Sequence, residues 1–110
     1  MADARVKQLR IKTGVVKRLL KEKSSYEAEA KSLEGKLAEM KSEGADPYRV
    51  KKQEEVLAES RAMVPDTMRR LASALPHLTN LIDECKDDLA ETEELKAGQE
   101  ILSQANAVMA

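Results

Sequence analysis

Apolar residues recur at alternating spacings of three and four through the first forty positions, in a pattern with a period of seven. This spacing places them on one side of an α-helix and is typical of helices that pack along a seam. We therefore predict a first helix over about residues 5–42, roughly 57 Å long at 1.5 Å per residue. The seam consists of Leu9, Val16, Leu19, Lys23, Tyr26, Ala30, Leu33, Leu37 and Met40.

A turn is predicted where this pattern stops, between Ser42 and Pro47. Gly44 can adopt the left-handed conformation that ends a helix, and Asp46 followed by Pro47 is typical of a helix start. We expect the chain to reverse direction here and a second helix to begin at about residue 46.

The second helix is predicted from a strict seven-residue repeat that extends it to about residue 88. The repeat consists of Val50, Leu57, Val64, Leu71, Leu78 and Cys85. Pro65 and Pro76 interrupt it, and each removes a backbone hydrogen-bond donor. Because the apolar spacing continues through both, we expect a kink at Pro65 and a second bend at Pro76. A break at Pro65 that creates a separate helix is the alternative.

A shorter third helix is predicted over about residues 91–109, with Leu95, Leu102, Ala105 and Met109 in register and Gly98 at a position suited to close helix approach. The predicted fold is all-α. It is an elongated antiparallel three-helix bundle, a coiled-coil-like rod that forms a single domain over residues 1–110.

Composition and charge agree with this fold. Aromatic residues make up 2% of the chain and charged residues 35%, which disfavours a β-rich core. Residues 1–23 contain eight Lys or Arg and two acidic residues, whereas residues 83–100 contain eight acidic residues and two Lys. An up-down-up bundle makes these blocks neighbours, so we favour internal complementation over nucleic-acid binding, which needs uncompensated charge.

Catalytic and ligand-binding chemistry is not predicted. His77 is the only histidine and Cys85 the only cysteine, and no glycine-rich phosphate loop is present. We therefore expect no enzyme activity, no metal and no cofactor, with His77 on the surface and Cys85 in the core. Apolar stretches fall short of the roughly 20 residues of a membrane span, so we expect a cytoplasmic protein without membrane contact.

Three separated motifs resemble the tubulin-folding cofactor A family. They are residues 11–19 (IKTGVVKRL), residues 46–48 (DPY) with 59–61 (ESR), and residues 64–66 (VPD) with 69–71 (RRL). The resemblance implies a three-helix rod whose second helix is kinked at Pro65, whereas Pro76 departs from the family pattern.

The resemblance also implies a function. Members capture β-tubulin after its release from the cytosolic chaperonin and pass it toward heterodimer assembly, without hydrolysing nucleotide. Expected partners are β-tubulin and other tubulin-folding cofactors, with the chain itself a cytoskeleton-associated monomer. The alternative is a coiled-coil assembly module without tubulin specificity.

Exposed charges on the first two helices are the predicted contacts with tubulin, and Pro65 is predicted to shape their surface. This set consists of Lys17, Arg18, Lys21, Glu22, Glu59, Arg61, Pro65, Asp66, Arg69 and Arg70. An internal ion pair is the competing interpretation for each charge, and for Arg61 the alternative is that it ties the first helix to the second.

Overall fold

The computed structural model describes residues 3–110, which form three α-helices and no strand. Helix α1 spans Ala4–Ser42, α2 spans Pro47–Cys85 and α3 spans Glu93–Met109. The predicted all-α class and the number of helices are confirmed.

The turn between α1 and α2 has the predicted chemistry. Gly44 adopts a positive φ of 69°, and the amide of Ala45 donates to the carbonyl of Met40 at 3.0 Å. On the other side of the turn, a carboxylate oxygen of Asp46 accepts from the amide of Tyr48 at 3.2 Å. Backbone groups at the end of α1 and at the start of α2 thus find hydrogen-bond partners within a few residues.

Helix α2 runs without interruption through Pro65 and Pro76, so the alternative of a separate helix after Pro65 is wrong. Bends of the helix axis at the two prolines stay a prediction. Beside Pro65, the hydroxyl of Thr67 donates to the carbonyl of Met63 at 2.8 Å. This bond gives an acceptor to a buried hydroxyl in the turn of helix that contains the proline.

The connection between α2 and α3 differs from the prediction. Helix α2 ends at Cys85 rather than 88, and α3 starts at Glu93 rather than 91. Turns occupy residues 86–91, and the hydroxyl of Thr92 caps α3 by accepting from the amide of Leu95 at 3.2 Å. The acidic run through this segment contains no Gly or Pro that would mark the boundary in the sequence.

The helices are organised in two compact units. The first combines the described residues up to Lys21 with Met68–Ala110 and therefore contains parts of all three helices. Its core consists of Leu9, Val16, Leu19, Leu71, Leu78, Ile82, Cys85, Leu95, Ile101 and Ala105. Most of these residues belong to the predicted seams, and Cys85 is a buried free thiol as expected.

Two assignments in α3 need correction. Ile101 is buried although the predicted stripe does not include it, whereas Met109, which the stripe includes, is 37% exposed. Burial at Leu95, Gly98, Ile101 and Ala105 follows successive turns of one helix face, and Met109 lies at the end of the helix, beyond the core.

Gly98 allows the close approach that its position suggested. A Cβ atom at this residue would lie 3.1 Å from the hydroxyl oxygen of Thr13 and 3.5 Å from Cδ1 of Ile82. The glycine thus lets the backbone of α3 lie against side chains of both α1 and α2.

The second unit, Glu22–Thr67, is a hairpin of two helices. Ala30 and Leu57 are its buried apolar residues among those described, and the buried polar residues are Ser60 and Thr67. The seam residues Leu33, Leu37 and Met40 are only half-buried. Whether the two units unfold as one cooperative domain stays a prediction.

Candidate partner-binding surface

The basic start of α1 is partly neutralised by the acidic segment around the α2–α3 connection, as predicted. Arg5 contacts Asp88 at 3.2 Å, and Arg10 contacts Glu94 at 3.7 Å. Arg5 also binds Asp3 at 2.8 Å. Hydrogen bonds from Arg5 lower the pKa of the Asp3 carboxyl from 3.8 to about 2. The side-chain hydrogen bonds that Arg5 donates to Asp3 and to Asp88 in turn raise the pKa of the Arg5 guanidinium. These charges are engaged within the first unit.

Further along α1, Lys17 and Lys21 are exposed and line open depressions between α1 and α3. Both belong to the predicted contact set. Leu20 and Ile101 line the same depression, so charge and apolar surface are available together. Such a surface suits a partner that offers both kinds of group.

The other predicted residues of the first unit are Arg18, Arg69 and Arg70, all exposed. Each takes part in a polar or electrostatic interaction within the protein. An internal role therefore accompanies any role in binding a partner.

The hairpin holds the remaining five predicted residues. Glu59, Arg61 and Pro65 are exposed, and Glu22 and Asp66 are half-buried.

Arg61 links the two helices of the hairpin, as its position suggested. Its guanidinium lies 2.7 Å from a carboxylate oxygen of Glu34. A second ion pair, Lys41 with Glu54 at 3.7 Å, joins the same helices nearer the turn.

Sequence reasoning assigned no role to three features of α1 and α2, one exposed and two buried. Gly14 is an exposed glycine inside α1, where a Cβ atom would meet nothing within 4 Å. The hydroxyls of Thr13 and Ser60 are buried without a hydrogen-bond partner. A glycine at midhelix is visible in the sequence, but the depth of a hydroxyl between two helices is not.

No arrangement for ligand chemistry accompanies these surfaces in the described part of the chain. Residues 3–110 contain no group of three or more His, Cys, Asp or Glu side chains suited to hold a metal ion. His77 is exposed, and burial raises the pKa of the Cys85 thiol. None of the described helices has the length and apolar character to cross a membrane.

Comparison with known proteins decides the family. The sequence profile described as tubulin binding cofactor A matches residues 4–102, nearly the whole chain. This chain belongs to the tubulin binding cofactor A family. The resemblance seen in the three sequence motifs is thereby confirmed.

Members of the family share both sequence and fold with this chain. The tubulin-specific chaperone A of Gallus gallus is 54% identical over 102 residues, which cover 93% of this chain and 94% of the relative. The crystal structure of tubulin folding cofactor A from Arabidopsis thaliana superposes with a TM-score of 0.85 at 40% identity, covering 94% and 97% of the two chains. The human tubulin chaperone cofactor A superposes with a TM-score of 0.76 at 45% identity, covering 93% and 98%.

Proposed function

We propose that this protein is a non-catalytic tubulin-folding chaperone. It captures β-tubulin folding intermediates after their release from the chaperonin and passes them toward heterodimer assembly, in the cytoplasm and in association with the cytoskeleton. The observation that carries the proposal is membership of the tubulin binding cofactor A family across residues 4–102. Other tubulin-folding cofactors are proposed as partners during the transfer.

The physical character of the surface supports this role. A chaperone of this kind needs a binding face rather than a catalytic pocket, and α1 and α2 are helices of 39 residues each with many exposed charges. Charges along a helix face guide association and select partners. The partial neutralisation of the basic block by Asp88 and Glu94 weakens the case for nucleic acid as the ligand.

The proposed tubulin contacts are the exposed or half-exposed groups predicted from the sequence. They are Lys17, Arg18, Lys21, Glu22, Glu59, Arg61, Asp66, Arg69 and Arg70, with Pro65 shaping the surface around them.

The function is tested by mixing the purified protein with β-tubulin newly released from a chaperonin folding reaction. We expect a discrete complex on a native gel. The same experiment with α-tubulin is the control and should give no complex. Failure to bind either tubulin would refute the chaperone role, and equal binding to both would refute the specificity for β-tubulin.

Self-association is the second candidate, because Tyr48 and Val56 of α2 are 66% and 45% exposed. We nevertheless propose a monomer, since the three-helix unit already closes a core with its own helices. Sedimentation equilibrium should give a single species of 12.2 kDa. An obligate oligomer that binds no tubulin would instead establish a coiled-coil assembly module.

A further inference from the structure

A groove runs between α1 and α3 in the three-helix unit. It consists of two adjoining depressions of about 520 and 340 Å³, which share Lys17 and Ala97. Each volume lies within the range of about 300–1,000 Å³ typical of ligand sites. Because they share residues on both helices, the two depressions form one continuous surface, which we call the α1–α3 groove.

The two walls of the groove have matching spacing. On α1, Arg10, Gly14, Lys17 and Lys21 follow one another at intervals of four, three and four residues. On α3, the residues at the same intervals are Glu93, Ala97, Glu100 and Gln104. Each stripe spans three turns, roughly 16 Å, on one helix face. The groove therefore has the length of an α-helix of about three turns.

The walls carry opposite charges. The charged residues on the α1 side are all basic, and the charged residues on the α3 side, Glu93, Glu94 and Glu100, are all acidic. The pair formed by Arg10 and Glu94 joins the walls at one end. Farther along, no ion-pair partner occurs for Lys17 or Lys21 among residues 3–110. The two lysines are therefore available to carboxylates of a partner.

The α1 wall of the groove is unusual at Gly14. A glycine inside a helix destabilises it by about 1 kcal/mol relative to alanine, yet no neighbouring atom within 4 Å excludes a Cβ here. Beside it, Thr13 is only 8% exposed and its hydroxyl has no hydrogen-bond partner. Packing within the chain thus does not explain the glycine, whereas a partner group that lies against Gly14 would use the space left by its missing Cβ.

We propose that the α1–α3 groove binds an α-helix of the tubulin client, with acidic side chains along the edge that faces α1 and basic ones along the edge that faces α3. A small residue of that helix lies over Gly14, where the missing Cβ permits close approach. This inference rests on the proposed function and assigns the surface by which the client is held. A helix fits because the groove follows two parallel stripes of helical spacing.

Placing a larger side chain at Gly14 is the first test, and the chain offers a matched control. Gly35 lies three heptads after Gly14 in the same helix, is also exposed and also has nothing within 4 Å of a Cβ position. Both Gly14→Leu and Gly35→Leu should raise the melting temperature, because each replaces a midhelix glycine. Only Gly14→Leu should weaken binding of β-tubulin, by at least about tenfold.

The readouts are the thermal midpoint from circular dichroism and the affinity from native-gel titration with chaperonin-released β-tubulin. If Gly14→Leu is more stable than wild type but binds β-tubulin less well, the loss of binding cannot be attributed to a folding defect. Equal affinities of Gly14→Leu and Gly35→Leu would overturn the proposal.

Charge reversal is the second test. Lys17→Glu with Lys21→Glu should weaken the complex by at least about tenfold, whereas Lys31→Glu with Lys36→Glu, at exposed positions of the same helix, should have little effect. Glu93→Lys with Glu100→Lys should also weaken it, although the chain becomes more basic. If this last variant binds more tightly, general attraction of an acidic client explains binding and the proposed helix orientation is wrong.

The wild-type protein separates the two proposals. If it binds no β-tubulin, the proposed function fails and the groove assignment fails with it. If wild type and all groove variants bind equally, the function stands and the groove assignment alone fails.

Discussion

The three-helix unit and the hairpin use the same two helices in different ways. In the first unit, α3 covers α1 and α2, and ten apolar residues form a buried cluster. In the hairpin no third helix is present, and the buried apolar residues among those described are Ala30 and Leu57. The comparison shows that the heptad pattern alone does not set burial; a third helix must cover the seam.

Equivalent heptad positions make the difference specific. Thr13 and Ile82 both approach Gly98 of α3. The position three heptads after Thr13 holds Glu34, and the position three heptads before Ile82 holds Arg61. These two side chains form an ion pair at 2.7 Å. In the three-helix unit, Thr13 and Ile82 pack against α3. In the hairpin, the residues at the equivalent positions form an exposed ion pair that joins α1 to α2.

The largest expected difference lies between core truncations in the two units. Leu78→Ala removes a fully buried side chain from the three-helix core and should lower the free energy of unfolding by about 3–4 kcal/mol. Leu57→Ala in the hairpin should cost about 2 kcal/mol, because the open groove beside Leu57 lets neighbours and water fill the space. Urea denaturation followed by circular dichroism measures both.

The same curves examine the single-domain prediction. If the chain is one cooperative unit, both variants should show one transition with an unchanged m-value. Two separated transitions would show that the units unfold independently, and equal costs for the two truncations would contradict the role assigned to α3.

A smaller effect is expected at Ser60, whose hydroxyl is buried in the hairpin without a partner. Ser60→Ala removes that unsatisfied group and should raise the free energy of unfolding. Ser32→Ala, at an exposed position of α1, controls for the higher helix propensity of alanine. The gain at Ser60 should exceed the gain at Ser32 by about 1 kcal/mol in chemical denaturation. A loss of stability at Ser60 would indicate that its hydroxyl is hydrogen-bonded in solution.

The ion pair between Arg61 and Glu34 in the hairpin should contribute still less to the free energy of unfolding. A double-mutant cycle with Glu34→Ala and Arg61→Ala should give a coupling free energy of about 0.3–1 kcal/mol, since both side chains are about half exposed. The coupling should fall in 1 M salt. A coupling unchanged by salt would show that the pair is not screened as an exposed pair must be.

The smallest effect concerns the start of α1 in the three-helix unit. The pKa of Asp3 is lowered to about 2 by its bonds to Arg5, so its contribution to stability is present above about pH 4 and is lost as the pH falls toward 2. A titration of the Asp3 carboxyl by NMR should therefore have a low midpoint. Arg5→Ala should return the midpoint toward 3.8, and an unchanged midpoint would exclude the Arg5 side chain as the cause.

The sequence predicts most of the fold because the responsible signals are local. The heptad spacing defines the three helices, and Gly44 with Asp46 and Pro47 marks the first turn. The end of α2 was misplaced because residues 86–91 carry neither Gly nor Pro. Continuity through Pro65 was correctly favoured, since apolar spacing persists on both sides of the ring.

The candidate surface is less accessible to sequence reasoning. Exposure of Lys17 and Lys21 follows from their positions outside the seam, and the link formed by Arg61 follows from its place beside the seam. The depth of the α1–α3 groove, however, depends on how closely α3 approaches α1, and this distance is set by Gly98 against Thr13. The two residues are 85 positions apart, so the sequence marks Gly98 as suited to close approach but does not identify Thr13 as its neighbour.

The three-helix unit combines two segments that lie far apart in the sequence, and this separation has a consequence for folding. Its core joins Leu9 to Leu95 and Ile101, with the entire hairpin between them. Contacts across the hairpin turn are closer in sequence and form at a lower entropic cost of loop closure. The hairpin is thus suited to form early and bring α1 alongside α2. During synthesis, α3 emerges after α1 and α2, so the basic residues at the start of α1 acquire their acidic neighbours only after both of those helices have been made.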